Sequence, residues 1–365
     1  MAQTRNKPQP KIRLLVLSHE TLPFLKQDEM ILKDHFNVNV CSLKSYDTIP
    51  TAFWTYGKVI LWLMKNIRQC DGLFLAFADV YGFFLSLFAR IFNKKLFVRV
   101  GGFDAAWIPE LQYGTYHKRR SRFFSWFTFK TACKILPVSK SLVYDPGSNW
   151  GVNIPRQGIK AFYPDVDPEK ITVIANGYKD SIFQPNDRIA RTKSVLMVGN
   201  IKNHQTFKIK GVDIFIKLAT ATPELTFTLV GADSQLIRQW IALPKNLKTI
   251  PYIPHDELPR FYQNAKVYMC LSLTEGMPNV LSEAMLSECV PVGFHIGSIP
   301  EIIGDTGVVL DSLDTAVIKE GLFRALEMDG KKARRKIRTQ YPLEAREKKL
   351  VQIIESEFCN KEGLN

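Results

Sequence analysis

Residues 273–285 read Leu-Thr-Glu-Gly-Met-Pro-Asn-Val-Leu-Ser-Glu-Ala-Met, and they set two carboxylates, Glu275 and Glu283, with seven residues between them. A strand-like apolar run at 265–271 leads into Glu275, and a helix is predicted from about Asn279. Gly276 lets a ligand approach the backbone, and Pro278 suits a helix start. The free amides of a helix start, aided by the helix dipole, form an anion site that fits a phosphate. Glu283, about one turn in, is set back from that phosphate, where a carboxylate can accept hydrogen bonds from a ribose diol. Glu275 projects from the loop toward whatever the phosphate carries. Two ordinary helix-flanking glutamates have the same pattern, and spacing alone leaves both alternatives open.

Other chemistry-bearing residues are more scattered. Gly101 and Gly102 directly follow a strand-like run, with Asp104 just beyond; this Asp either bonds an incoming hydroxyl or caps a turn. His19, after the first strand-like run, is placed to line a cleft. Asp165-Val-Asp167 pairs two carboxylates, but Pro164 and Pro168 put them in a loop, and no metal is assigned there. The six histidines lack metal-ligand spacing. The six cysteines include no C-x-x-C pair, which argues against a zinc site or a disulfide frame and fits a reducing compartment. Residues 331–338, KKARRKIR, hold six cations in eight positions and read as a solvated helix face.

Those residues need elements to hold them. Strand-like runs at 12–17, 38–43, 71–78, 95–100, 133–138 and 171–174 alternate with helical patterns. After residues 182–187 the alternation restarts, with strands at 194–199, 225–231, 247–252, 265–271, 289–294 and 307–310. Continuous apolar strands between amphipathic helices imply parallel sheets covered on both faces. The expected fold is therefore α/β, with two doubly wound domains at 1–180 and 181–335 and a helical tail at 336–365. Ligands of such sheets sit at the carboxyl ends of the strands, so two facing sheets make a cleft. Residues 72–92 are apolar over a bilayer's thickness, but Asp79 in their middle costs roughly 3 kcal/mol in a membrane, so they read as strand then helix.

The composition is that of a globular protein, with 46% hydrophobic and 23% charged residues, and the net charge of +14 is unevenly spread. Residues 1–180 hold 25 Lys/Arg against 14 Asp/Glu, whereas residues 181–330 hold 14 against 16. Seven cations and no acid fall in 111–144, interleaved with aromatics at 116–129. Residues 116–130 thus suit an anionic membrane surface, while a solvated helix over a buried aromatic face accounts for the same pattern. Nucleic acid is not assigned as a partner, since charge alone suggests it and no Walker-type loop is present. The basic N-terminus, followed only by the apolar run 14–17, does not read as a signal peptide.

Five segments in order carry a family likeness. TEGMPNVLSEAM resembles the Glu-x7-Glu signature of retaining glycosyltransferases of family 4, which have the two-domain GT-B fold. PVSKSLVYD (137–145), ITVIANGYKDSIFQP (171–185), SVLMVGN (194–200) with KGVDIFIKLA (210–219), and IPEII (299–303) are similar to its other landmarks. The resemblance implies a nucleotide-diphosphate sugar in the second domain and a glycan or lipid-linked acceptor in the first. By that likeness Glu283 binds the ribose, and Glu275 contacts the sugar. The backbone of Gly276, Met277, Pro278 and Asn279 frames the diphosphate and sugar, with N–H groups on all but Pro278, and Lys210 neutralises the leaving phosphate. Tyr252 and Ile253 fall near the base, Asn200 lies on the donor side, and Gly101, Gly102, Asp104 and His19 fall on the acceptor side. No cofactor is implied beyond the donor, and no metal. The implied setting is cytoplasmic, peripheral at a membrane's inner face, in polysaccharide or glycolipid assembly. Asn200 stands where the family has Arg and Glu288 where it has Gly, which motivates the alternative of a weakened nucleotide-sugar-binding partner protein.

Overall fold

The computed structural model describes residues 11–19, 23–43, 49–149, 153–186, 188–189, 191 and 193–359. In the first lobe, β1 (Arg13–His19), β2 (Asn37–Leu43), β3 (Gly72–Leu75), β4 (Lys95–Val100) and β5 (Lys134–Pro137) form a parallel sheet in the order β2-β1-β3-β4-β5. Successive side chains of a strand point to opposite faces. Leu14 and Val16 therefore join Phe74, Phe97 and Leu136 in one core, while Leu15 and Leu17 join Leu73, Leu75 and Val98 in another. Helices Ile49–Asn66, Val80–Ile91 and Arg119–Thr131 cover the second face. The first is covered by Pro23–His35 and by the last helix of the chain, Leu343–Cys359.

Asp79, the charge inside the long apolar run, is the N-cap of helix Val80–Ile91: its carboxylate accepts from the amides of Tyr81 (2.9 Å) and Gly82 (3.1 Å). Among the described residues no helix is long and apolar enough to cross a membrane. The run at 171–174, expected as a strand, instead makes one isolated bridge to β5, with Thr172 and Ile174 donating to Ile135 and Pro137. The ladder stops because Pro137 has no N–H to give the Thr172 carbonyl, and cations of the last helix take the next two carbonyls, Val173 by Lys349 and Ile174 by Arg346.

A small antiparallel pair, β6 (Ser148–Asn149) and β7 (Asn153–Ile154), precedes that run, and the second lobe begins its sheet at residue 194. Its parallel sheet has the order β10-β9-β8-β11-β12-β13, built from β8 (Ser194–Ile201), β9 (Thr226–Ala232), β10 (Leu247–Ile250), β11 (Val267–Cys270), β12 (Val290–Phe294) and β13 (Val308–Leu310). Both sheets reverse strand order once, between β1 and β3 and between β8 and β11, and such switch points open a crevice at the strands' carboxyl ends. The two Rossmann-like lobes face each other across that cleft. The chain crosses between them twice, and the crossings are tied together where Tyr178 donates to Tyr341 (3.0 Å) and Leu343 donates to Tyr178 (3.1 Å). The final helix then docks on the first lobe, where Arg346 forks onto the buried Asp28 at 2.7 and 2.6 Å.

Candidate active site

β11 delivers the chain to the loop carrying Glu275, and helix Asn279–Leu286 leaves it. Pro278 is the N-cap and no side chain caps this helix, so its first amides stay available to an anion. At the other end Arg191 donates to the carbonyls of Ser287 and Glu288, and Arg334 to that of Leu286, which puts the cations where the dipole is negative. Arg334 belongs to the 331–338 basic run, on helix Gly330–Gln340. Glu288 sits beyond that end in a left-handed conformation, φ 64°, which a glycine adopts without strain. Its departure from the family pattern is thus local to the helix's far end and away from the cleft.

Lys210 meets Glu275 at 2.5 Å. It is the C-cap of helix His204–Ile209, which starts with a capping box between Asn203 and Thr206. Burial weakens the hold of Lys210 on its proton, but the Glu275 carboxylate outweighs that, and its pKa rises. Lys208 is spent on Asp213 at 2.7 Å, whereas Asn200 is exposed near the end of β8. Tyr113 comes from the first lobe to the field of Lys210 and Glu275, and burial pushes its phenol up to about 12.

Glu283 is buried, and both its oxygens are engaged: His255 Nε2 lies 2.8 Å from one, and the Tyr262 hydroxyl donates to the other at 3.0 Å. The hydrogen bond to Glu283 holds the His255 pKa above its ordinary value. His255 belongs to the segment after β10 that includes the exposed Tyr252 and the half-buried Ile253. This brings the segment expected to meet a base alongside the carboxylate expected to meet a ribose.

From the first lobe, β4 ends in Gly101-Gly102, and Asp104 caps that turn by accepting from both amides at 3.0 Å. The turn-capping alternative for Asp104 therefore holds for Oδ1, while Oδ2 is buried without a hydrogen bond. Burial pushes this carboxyl upward. The glycine turns of the two lobes touch: a Cβ on Gly276 would lie 2.3 Å from the Gly101 carbonyl oxygen. Asn176, in the first crossing, donates to Asn279 Oδ1 (3.0 Å) and the Met277 carbonyl (3.4 Å) and accepts from Arg99 (3.0 Å). Tyr178 also donates to Asn279, at 2.9 Å. The side chain of Asn279 is thus held by the crossing, which leaves its backbone for a ligand. His19 ends β1, and its side chain lies outside the described residues.

His255, Tyr262, Tyr113, Asn176 and Tyr178 were not singled out from the sequence as site residues. The only sequence signal was the position of Asn176 and Tyr178 within the 171–185 landmark. Asp165 and Asp167 have structural partners: the first pairs with Lys130 at 3.2 Å, and the second accepts from the Glu169 amide. All six cysteines are unpaired, and burial pushes the Cys270 and Cys289 thiols up to about 12. Among the described residues no group of three or more His, Cys, Asp or Glu is placed to hold a metal ion.

Residues 192–328 match the sequence model of the family described as "Glycosyl transferases group 1". The O-antigen chain mannosyltransferase B of Escherichia coli is 30% identical over 83 residues, 23% of this chain and 22% of that protein. The phosphatidylinositol N-acetylglucosaminyltransferase GPI3 subunit of Saccharomyces cerevisiae is 24% identical over 156 residues, 38% of this chain and 33% of that protein. These matches span a third or less of the relatives' own length. The sucrose-phosphate synthase of Thermosynechococcus elongatus superposes with a TM-score of 0.74 at 13% identity, covering 96% of this chain and all of that one. Anabaena HepE in complex with UDP-glucose gives 0.68 at 12% identity, covering 94% of this chain and 100% of that one. By architecture the chain is GT-B, and its second lobe is related in sequence to the glycosyl transferases of group 1.

Proposed function

We propose that this protein is a retaining glycosyltransferase of family 4 type, moving a sugar from a nucleoside-diphosphate sugar to a glycan or lipid-linked acceptor. The observation that carries the proposal is the Lys210–Glu275 pair beside an uncapped helix start, with Glu283 one turn along the same helix. A sugar diphosphate is an activated donor, so the protein's work is to stabilise charge on the departing phosphate and to place the acceptor. Lys210 and the N–H groups of Gly276, Met277 and Asn279 face the diphosphate; Glu275 orients the sugar; Glu283 takes the ribose through the lone pairs that His255 and Tyr262 leave. The anomeric carbon–oxygen bond to phosphate breaks and a bond to the acceptor oxygen forms on the same face. The acceptor's proton passes to the leaving phosphate oxygen, so no protein nucleophile is needed. The complex of the fold neighbour HepE with UDP-glucose supports a nucleotide sugar as the donor. The likeness to an O-antigen chain mannosyltransferase and to a phosphatidylinositol N-acetylglucosaminyltransferase subunit supports an acceptor that is a glycan chain or a phosphatidylinositol lipid.

A panel of UDP, GDP, ADP and CMP sugars tests this by thermal shift and turnover. One donor is expected to stabilise the protein. Glu283→Gln is expected to abolish that shift, and Glu275→Gln to lower turnover on the order of 10²-fold while keeping the fold. Donor binding without turnover on any glycan or lipid acceptor would favour the second reading, a nucleotide-sugar-binding partner protein, for which the exposed Asn200 in place of an arginine speaks.

A further inference from the structure

Helices Ile49–Asn66, Val80–Ile91 and Arg119–Thr131 lie side by side on one face of the first lobe. Ring contacts join them, Tyr56 to Phe84 at 6.1 Å and Phe83 to Phe123 at 5.9 Å. Not one of their residues is Asp or Glu. Their outward side is also unusually apolar: Trp54 is 79% exposed, Leu61 58%, Met64 62%, Ile91 65% and Phe123 51%. On the first helix Trp54, Lys58, Leu61 and Lys65 recur at helical spacing, so greasy and cationic side chains share one exposed stripe. Arg90, Arg119 and Arg120 continue it across the other two helices. Within the 116–130 stretch, by contrast, Tyr116 and Phe129 are fully buried, so the sequence pattern marked only one edge of this surface.

We propose that this three-helix face docks on an anionic lipid bilayer, with the apolar side chains in the headgroup–acyl boundary and the cations on lipid phosphates. Contiguous exposed apolar area calls for a cover, and the charge of that cover must be negative. A second copy does not supply it, because an isologous interface would set the same cations against each other. Nucleic acid does not either, since Leu61, Met64 and Ile91 have no phosphate or base to engage. At the edge of the face Asp165 pairs with Lys130, and Asp79, which caps the middle helix, is spent on the amides of Tyr81 and Gly82. Arg119 opens the helix reached from the Gly101-Gly102 turn, so docking holds the mouth of the cleft near the bilayer. That bilayer is where the lipid-linked acceptor of the proposed transfer resides; docking rests on that reading for its purpose only.

Sedimentation of the full chain with phosphatidylcholine vesicles, with and without phosphatidylglycerol, tests the docking directly. Binding is expected to the anionic vesicles and to fall with salt. Each cation at the surface is worth about fivefold in partitioning, so Arg119→Gln/Arg120→Gln is expected to lose about 25-fold. Leu61→Ser/Met64→Ser is expected to lose tenfold or so from lost insertion. All four positions are exposed, and unchanged melting and donor binding in the absence of vesicles keep a docking failure distinct from failure of the transferase reading. Equal binding to both vesicle types, no binding, unaltered binding by either double variant, or a dimer that the variants dissolve would each overturn the docking.

Discussion

His255 touches Glu283 at 2.8 Å from a segment 28 residues earlier in the chain, and this tie has a sign that can be measured. Its hydrogen bond to Glu283 raises the folded-state pKa above the ordinary 6.5. The protonated form is therefore the one the fold prefers, and the tie contributes fully below about pH 6.5 and fades as pH rises through the raised value. The stability gap between the native chain and His255→Gln, followed by denaturant unfolding from about pH 5.5 to 8.5, is expected to narrow with rising pH. A gap that widens, or is flat, would mean that the tie is unimportant. Glu275, Gly276 and Glu283 stand out in the sequence because they share one short segment at a helix start, although spacing alone leaves two ordinary helix-flanking glutamates as the alternative. His255 and Tyr262 were not, because their roles depend on a partner that only the sheet order brings near. Asp104 was read both ways, and its capping bonds to Gly101 and Gly102 are the ones local turn chemistry favours.

Two loops at strand ends decide whether the elements form a working cleft. Gly276 and the Gly101-Gly102 turn are so close that a methyl group on Gly276, 2.3 Å from the Gly101 carbonyl oxygen, must part the lobes. Gly276→Ala is expected to cost about tenfold or more in turnover through misplacement, with little change in melting and a larger radius of gyration in solution scattering. A fully active, unexpanded variant would show that the contact is incidental to the working geometry. Eleven strands of the two large sheets fall within the expected runs to within two or three residues, since alternate residues entering two cores leave an unbroken apolar signature. The failure at 171–174 is instructive. Its composition is that of a strand, but β5 ends in Pro137, which has no N–H to give the Thr172 carbonyl, and Arg346, from far along the chain, takes the Ile174 carbonyl.

Across the whole molecule, the buried Asp28 sits between Arg346 at 2.6 Å and Arg99 at 3.1 Å, one carboxylate for two guanidinium groups. Burial lowers the Arg99 pKa to about 10, and its ring partner Phe24 lies 4.6 Å from the guanidinium carbon. Asp28→Asn strands both cations in the core and is expected to destabilise the protein by about 3–5 kcal/mol, read as a fall in the denaturation midpoint. A shift under about 1 kcal/mol would show that the remaining acceptors suffice. None of this was legible in the sequence, where Asp28 and Arg346 are 318 positions apart and each resembles an ordinary surface charge. The docking of Leu343, Leu350 and Ile354 into the first lobe's core bears on how the protein is made. A ribosome releases the first lobe's strands early, yet one face of their sheet is covered by Pro23–His35 alone, and Asp28 lacks the Arg346 fork, until the second lobe has been translated. The nascent first half must therefore wait, with apolar surface that a chaperone or a neighbouring chain can seize. Translation that stops near residue 341 yields a finished second lobe attached to an unfinished first one.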